Sequence, residues 1–189
     1  MEFITALWMP IVLSAVAVWI ASALGWMVVG HHKKDWIGLP NEDAFTSAVR
    51  ALNLPPGNYG FPHAEDCHKA MKDPEFQNKW KNGPVGLVQI WKPDGSMAKP
   101  MLLTFIVYLV TGVLIAYLGW NAFRGESPSF AAAFRVLGTA GILAYTISHI
   151  PSGIWFQSYP RAILMCIIDG VIYGLITGAI FAAMWPAGH

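Results

Sequence analysis

Long apolar runs separated by polar segments dominate the hydrophobic pattern of this chain. A hydrocarbon core needs about 20 helical residues, and four runs reach that length: residues 3–29, 101–120, 130–150 and 161–185. We therefore predict four transmembrane helices. The short connections between the last three runs indicate antiparallel neighbours.

The polar stretch of residues 31–99 carries start and stop signals for smaller elements. Asn41 before two acidic residues predicts a helix N-cap, and Asp73-Pro74 predicts a second one. Residues 85–92 are rich in Val, Ile, Leu and Trp and predict a strand. The predicted fold is an all-α membrane protein, a four-helix transmembrane bundle with a small α+β extramembrane insertion between helices 1 and 2. The predicted boundaries are 1–30 for helix 1, 31–99 for the insertion and 100–189 for helices 2–4.

Small residues recur at every fourth position of the last apolar run and of two others. In a helix this spacing forms a stripe on which a neighbouring backbone can pack closely. The predicted packing residues are Ala17, Ala21, Gly25, Gly112, Ala116, Gly170, Gly174 and Gly178. We expect helices 1 and 2 to supply the partners of the glycines in helix 4.

The composition agrees with an integral membrane protein. Of 189 residues, 55% are hydrophobic and 12% are charged, and the mean hydropathy is +0.46. The net charge of +1 offers no basic face for a nucleic acid. The expected partners are the lipid bilayer and other integral membrane subunits. The two cysteines lie in a polar and an apolar segment, so we expect both thiols to be free.

The distribution of basic residues predicts the orientation. Five basic residues flank the spans on the side of the polar insertion: Lys33, Lys34, Lys92, Lys99 and Arg161. Two flank them on the other side, Arg124 and Arg135. The positive-inside rule then places residues 31–99 in the cytoplasm and both termini outside.

One carboxylate, Asp169, lies inside the last apolar run. A charge at that depth must be paired, hydrated or neutralised. Tyr173, Tyr145 and His149 are possible partners in a proton or ion relay. A structural role fits better than a relay: a carboxyl that forms hydrogen bonds across the helix bundle or to a neighbouring subunit. A relay needs a chain of polar groups, and the far half of the span contains one polar residue, Thr177.

Histidine and cysteine also occur together in the insertion. His63, Cys67 and His68 are weak candidates for a metal site, because their spacing matches neither a zinc nor a haem motif. His31 and His32 fit a flank at the membrane interface. We expect no metal and no other cofactor.

Seven segments of the chain resemble a family of uncharacterised bacterial membrane proteins with four predicted spans. The resemblance extends over nearly the whole chain. The segments that show it are Ala6–Ser14, His32–Asp35, Leu39–Asp43, Gly83–Gly86, Phe134–Ala140, Ile154–Phe156 and Asp169–Tyr173. It implies a multi-pass protein of the bacterial inner membrane and no particular activity.

No nucleophile elbow, phosphate-binding glycine loop or zinc-protease helix is present, so the sequence indicates no enzyme. The favoured hypothesis is a non-catalytic accessory, stabilising or assembly subunit of a larger bacterial membrane complex, for example a respiratory or photosynthetic one. The alternatives are a small proton-coupled transporter or carrier centred on Asp169, and a metal- or redox-active domain at His63, Cys67 and His68.

Overall fold

A computed structural model describes residues 2–92, 95–124 and 126–186 of the chain. The protein is mostly helical and forms two compact units. Unit 1 comprises Met1–Ile37 and Ser96–His189, and unit 2 comprises Gly38–Gly95. The boundaries of unit 2 lie inside the predicted insertion of residues 31–99, since both flanks of that stretch belong to unit 1.

Unit 1 contains four helical stretches that are long and apolar enough to cross a membrane: Glu2–Val29, Ala98–Phe123, Phe130–Trp155 and Pro160–Ala183. Their regular α-helices are α1 (Glu2–Ala23), α5 (Ala98–Phe123), α6 (Phe130–Thr146), α7 (His149–Trp155) and α8 (Pro160–Ala183). The four predicted spans are therefore present as helices, with the third divided into α6 and α7.

The four long helices pack in a ring, in which α1 contacts α5 and α8, and α6 contacts α5 and α8. Trp19 of α1 donates a hydrogen bond from Nε1 to the carbonyl of Met101 in α5 at 3.2 Å. The apolar core lies where the first turns of α1 and α6 meet the last turns of α5 and α8. Its buried side chains are Leu7, Ile11, Ile115, Ala116, Ala133, Leu137, Phe181 and Ala182.

The glycines of α8 pack against α6. A Cβ on Gly178 would lie 2.5 Å from Cα of Gly138, and one on Gly174 would lie 2.8 Å from the carbonyl carbon of Gly141. Such backbone contact excludes any side chain at these positions. The main partner of the predicted small-residue stripe of helix 4 is therefore helix 3. The prediction that helices 1 and 2 supply this partner is wrong.

The packing face of α1 also differs from the prediction. Its buried residues are Leu7, Pro10, Ile11, Ser14, Ala15 and Val18, whereas Ala17, Ala21 and Gly25 are only half-buried. In α5, Gly112 and Ala116 are buried, and Gly112 contacts the backbone of Ile11. The larger side chains of α1, and not its small residues, therefore contribute to the core.

The end of α1 turns the chain back towards the bundle. Leu24–Val29 forms a π-helical stretch, Gly30 adopts the left-handed conformation with φ of 62°, and a 3-10 helix follows at His31–Asp35. A left-handed conformation is costly for residues with a Cβ, so glycine suits this reversal. The π-helical geometry is rare and occurs often at functional sites.

Unit 2 contains short elements with local start signals: α2 (Glu42–Ala51), β1 (Gly57–Phe61), α3 (Cys67–Ala70), α4 (Pro74–Asn82) and β2 (Gly86–Ile90). The side chain of Asn41 caps α2 and that of Asp73 caps α4, as predicted. The strands pair antiparallel, with Tyr59 opposite Val88. In unit 2 only Ala70 is a buried hydrophobic residue among the positions described.

Candidate functional site

Asp169 lies nine residues after the start of α8, about 13 Å along the helix axis, and both of its carboxylate oxygens are engaged. His31 Nε2 lies 2.8 Å from Oδ1, and His32 Nε2 lies 3.0 Å from Oδ2. His32 and Asp169 are buried, with 3% and 7% of their surface exposed. Two histidines at the end of the first span therefore converge on one carboxylate in the last span.

A second carboxylate lies behind His32. Asp35 Oδ2 is 2.7 Å from His32 Nδ1, and the Asp35 side chain is 4% exposed. The guanidinium of Arg161 forms an ion pair with Oδ1 of Asp35 and donates a hydrogen bond to the carbonyl of His31 at 2.8 Å. Arg161 thus compensates Asp35 and fixes the 3-10 helix on the first turn of α8.

Aromatic side chains enclose this cluster. The indole of Trp26 stacks on the His32 imidazole, with 3.9 Å between ring centroids and 11° between ring planes. The hydroxyl of Tyr173 donates to Asp169 Oδ2 at 3.3 Å. The rings of Tyr108 and Tyr145 contact that of Tyr173 at 6.1 and 5.9 Å. Of these aromatic side chains, Tyr173 contacts the carboxylate directly, and Tyr108 and Tyr145 pack around the ring of Tyr173.

Two glycines make the arrangement possible. Gly30 supplies the left-handed turn that reverses the chain, and its N–H donates to the carbonyl of Gly25 at 2.9 Å. A Cβ on Gly25 would lie 3.2 Å from Cε1 of His31. Gly25, predicted as a helix-packing residue, therefore leaves room for the His31 imidazole.

The hydrogen-bond pattern of His32 requires a second proton or a metal ion between its ring and the two carboxylates. A neutral imidazole carries one N–H, so it can donate to Asp35 or to Asp169 but not to both. If Nδ1 donates to Asp35, the lone pair of Nε2 faces a carboxylate oxygen at 3.0 Å. A proton or a metal ion at Nε2 would remove the repulsion. The net charge of the cluster also favours an added positive charge. With both imidazoles neutral, the two carboxylates of Asp35 and Asp169 and the guanidinium of Arg161 sum to −1.

The structure distributes the predicted site residues unevenly. Tyr173 contacts Asp169 directly, and Tyr145 reaches it only through the ring of Tyr173. His149 is exposed at the start of α7. The suggested metal candidates of the insertion, His63, Cys67 and His68, are all exposed. In the described parts of the chain, the one group of three potential metal ligands is His31, His32 and Asp169.

Reasoning from the sequence missed His31, His32, Asp35 and Arg161, because the two histidines were interpreted as a flank at the membrane interface. It named Tyr173, Tyr145 and His149 as possible partners of Asp169, and of these Tyr173 contacts the carboxylate, together with the two histidines that were not predicted. A topological signal was present. The end of span 1 and the start of span 4 were predicted on the same side, so a buried acid in span 4 could have been matched with the His-His-Lys-Lys-Asp segment.

Unit 2 has a separate feature, an apolar cleft of about 310 Å³ beside α4 that is lined by Met71, Phe76, Gln77, Trp80 and Lys81. Phe76 and Trp80 stack with their ring centroids 6.2 Å apart. On the same helix, the hydrogen bond from Lys79 to Glu75 at 2.6 Å raises the pKa of Lys79. Trp80 and Met71 remain 51% and 64% exposed.

Comparison with protein-family models, with curated proteins and with solved structures gives no match. The resemblance to an uncharacterised bacterial membrane family therefore stays a prediction.

Proposed function

We propose that the protein is a non-catalytic accessory subunit of a larger membrane complex and that unit 2 binds a protein partner. The main observation in support of this proposal is the exposed apolar surface of unit 2. Its exposed large hydrophobic side chains are Leu39, Phe45, Leu52, Phe61, Met71, Trp80, Val85, Leu87 and Trp91. A domain of this size normally buries about 60% of its unfolded surface. The exposed Met71 and Trp80 line one apolar cleft, and a contiguous exposed apolar patch is typical of a binding site.

A protein fits this surface better than anionic lipid does. Unit 2 holds six basic residues, Arg50, Lys69, Lys72, Lys79, Lys81 and Lys92, against seven acidic ones, Glu42, Asp43, Glu65, Asp66, Asp73, Glu75 and Asp94. Membrane-surface binding by amphipathic segments relies on a basic excess, which is absent here. A cleft beside an exposed tryptophan instead favours insertion of an apolar side chain of a partner.

The test is purification of the full chain from native membranes in mild detergent, with the mass and stoichiometry of the complex measured. We expect a defined complex with the unaltered chain and its loss in Trp80→Ser, since buried tryptophans are frequent hot spots of interfaces. Trp91→Ser is the matched control, because Trp91 is 70% exposed but does not line the cleft.

Each result of this experiment has a definite meaning. Loss in Trp80→Ser alone supports binding at the cleft, and loss in both variants supports a wider contact over unit 2. A monomer of the unaltered chain in every mild detergent would contradict the proposal.

The carrier hypothesis centred on Asp169 stays a prediction and gains one favourable observation, the polar partners of Asp169. Against it, the core beyond the cluster consists of apolar side chains such as Leu7, Leu137 and Phe181. If the protein is a carrier, Asp169→Asn should abolish pH-dependent flux in liposomes, and unchanged flux would exclude that function.

A further inference from the structure

We propose that His31, His32 and Asp169 bind a divalent transition-metal ion. One ligand atom from each residue lies within 4.8 Å of the others. Metal bonds to imidazole nitrogen and carboxylate oxygen are about 2.1 Å long, which places neighbouring ligands about 3.4 Å apart in a tetrahedral site. The observed contacts of 2.8 and 3.0 Å to Asp169 need only a small outward movement of the carboxylate to admit an ion.

The surroundings of His32 match those of a metal-binding histidine. Such histidines usually donate their second N–H to a carboxylate, which sets the tautomer and orients the ring. Asp35 accepts from Nδ1 of His32 at 2.7 Å and is itself held by Arg161. The lone pair of Nε2 then points towards Asp169, where an ion would lie.

Charge also favours a cation at this position. The side chains of Asp35 and Asp169 are 4% and 10% exposed, with Arg161 beside Asp35, and an uncompensated buried charge is unfavourable. A divalent ion reverses the excess of negative charge to an excess of one positive charge. A hydroxide or another anion as a further ligand of the ion would bring the cluster to neutrality.

The donor set defines the class of ion. Two imidazoles and one carboxylate suit borderline ions such as Zn²⁺, Fe²⁺ and Co²⁺, whereas soft Cu⁺ prefers thiolates and thioethers. Three protein ligands leave at least one position open for water or a small ligand. Access is from the side of His31, whose side chain is 23% exposed, since Trp26 covers the face of His32.

This inference goes beyond the accessory role and needs no partner, so the two can fail separately. The untagged full-length chain would be purified in detergent, treated with a chelator and titrated with Zn²⁺ by calorimetry, with elemental analysis of the bound ion. We expect a single Zn²⁺ per chain. Co²⁺ should bind competitively and produce the visible absorption of a nitrogen- and oxygen-ligated site.

Matched variants separate the proposed ligands from other histidines. Removal of the orienting carboxylate in Asp35→Asn should weaken Zn²⁺ binding about 10- to 100-fold and shift the Co²⁺ spectrum. His31→Ala and His32→Ala should lose more affinity than that, because each removes a ligand. His63→Ala changes an exposed histidine of unit 2 and should bind Zn²⁺ like the unaltered chain.

Circular dichroism and gel filtration of each variant exclude loss of fold as the cause, and His31→Ala is the safer variant because His31 is partly exposed. The proposal is overturned if the unaltered chain binds no Zn²⁺ and no Co²⁺. It is equally overturned if His31→Ala and His32→Ala bind Zn²⁺ with unchanged affinity. The same holds if the cluster only takes up or releases protons and binds no metal ion.

Discussion

The two ends of the helical bundle are built on different principles. At one end, the apolar core contains Leu7, Ile115, Leu137 and Phe181. Each of these residues has at most 2% of its surface exposed. At the other end, the buried groups are His32, Asp35 and Asp169 with Arg161 beside them. The same helix, α8, contributes to both ends.

The difference shows what each kind of contact requires. The apolar end tolerates exchange among apolar side chains of similar volume, because dispersion contacts have little directionality. The polar end requires each donor to meet its acceptor, because an unpaired buried polar group is costly. Function is therefore expected where directional contacts were retained despite their cost.

Close packing between the ends should be the most sensitive feature. In Gly174→Ala, the added methyl group would overlap the backbone nitrogen of Ile142, which forces α6 and α8 apart. We expect a loss of at least about 3 kcal/mol, the upper part of the range for overpacked cores, measured by reversible unfolding in detergent.

Gly138→Ala is the matched control in the same interface. A Cβ on Gly138 would meet its nearest neighbour, Cα of Gly178, at an ordinary 3.8 Å. Equal destabilisation by both variants would mean that the methyl overlap does not determine the stability of this interface.

The ion pair at the polar end should have the next largest effect. Arg161→Ala leaves Asp35 buried without its cationic partner. Breaking a buried pair costs about 3–5 kcal/mol, and we expect about 2 kcal/mol because the Arg161 side chain is 32% exposed. Unfolding in detergent measures the effect, and Arg135→Ala, at an exposed position of α6, should change stability little. A loss no larger than that of Arg135→Ala would contradict a stabilising role of the ion pair between Arg161 and Asp35.

Thr177 tests whether the polar end extends into the apolar one. Its hydroxyl is fully buried and has no hydrogen-bond partner in the described part of the chain, although Tyr145 approaches it. Thr177→Val removes the unsatisfied oxygen at constant shape and should stabilise the protein by about 1 kcal/mol. Destabilisation in thermal unfolding would instead indicate a polar path from Asp169 through the tyrosines towards Thr177, as the carrier hypothesis requires.

Much of the secondary structure could be predicted, because its signals are local. The four apolar runs, the caps at Asn41 and Asp73 and the strand after residue 85 depend on neighbouring residues only. The partner of the α8 glycines could not be predicted in the same way. Small-residue stripes occur on several spans, and the choice between them depends on the arrangement of whole helices.

The sequence by itself determined that four helices could cross a membrane, that Asp169 needs a partner at depth, and that a small α+β unit separates the first two spans. Only the tertiary structure decided that the partners are His31 and His32, which lie 138 and 137 residues away. The physical reason is the reversal at Gly30 combined with the packing of α1 on α8. Hydrogen bonds between distant segments depend on both and leave no periodic pattern in the chain.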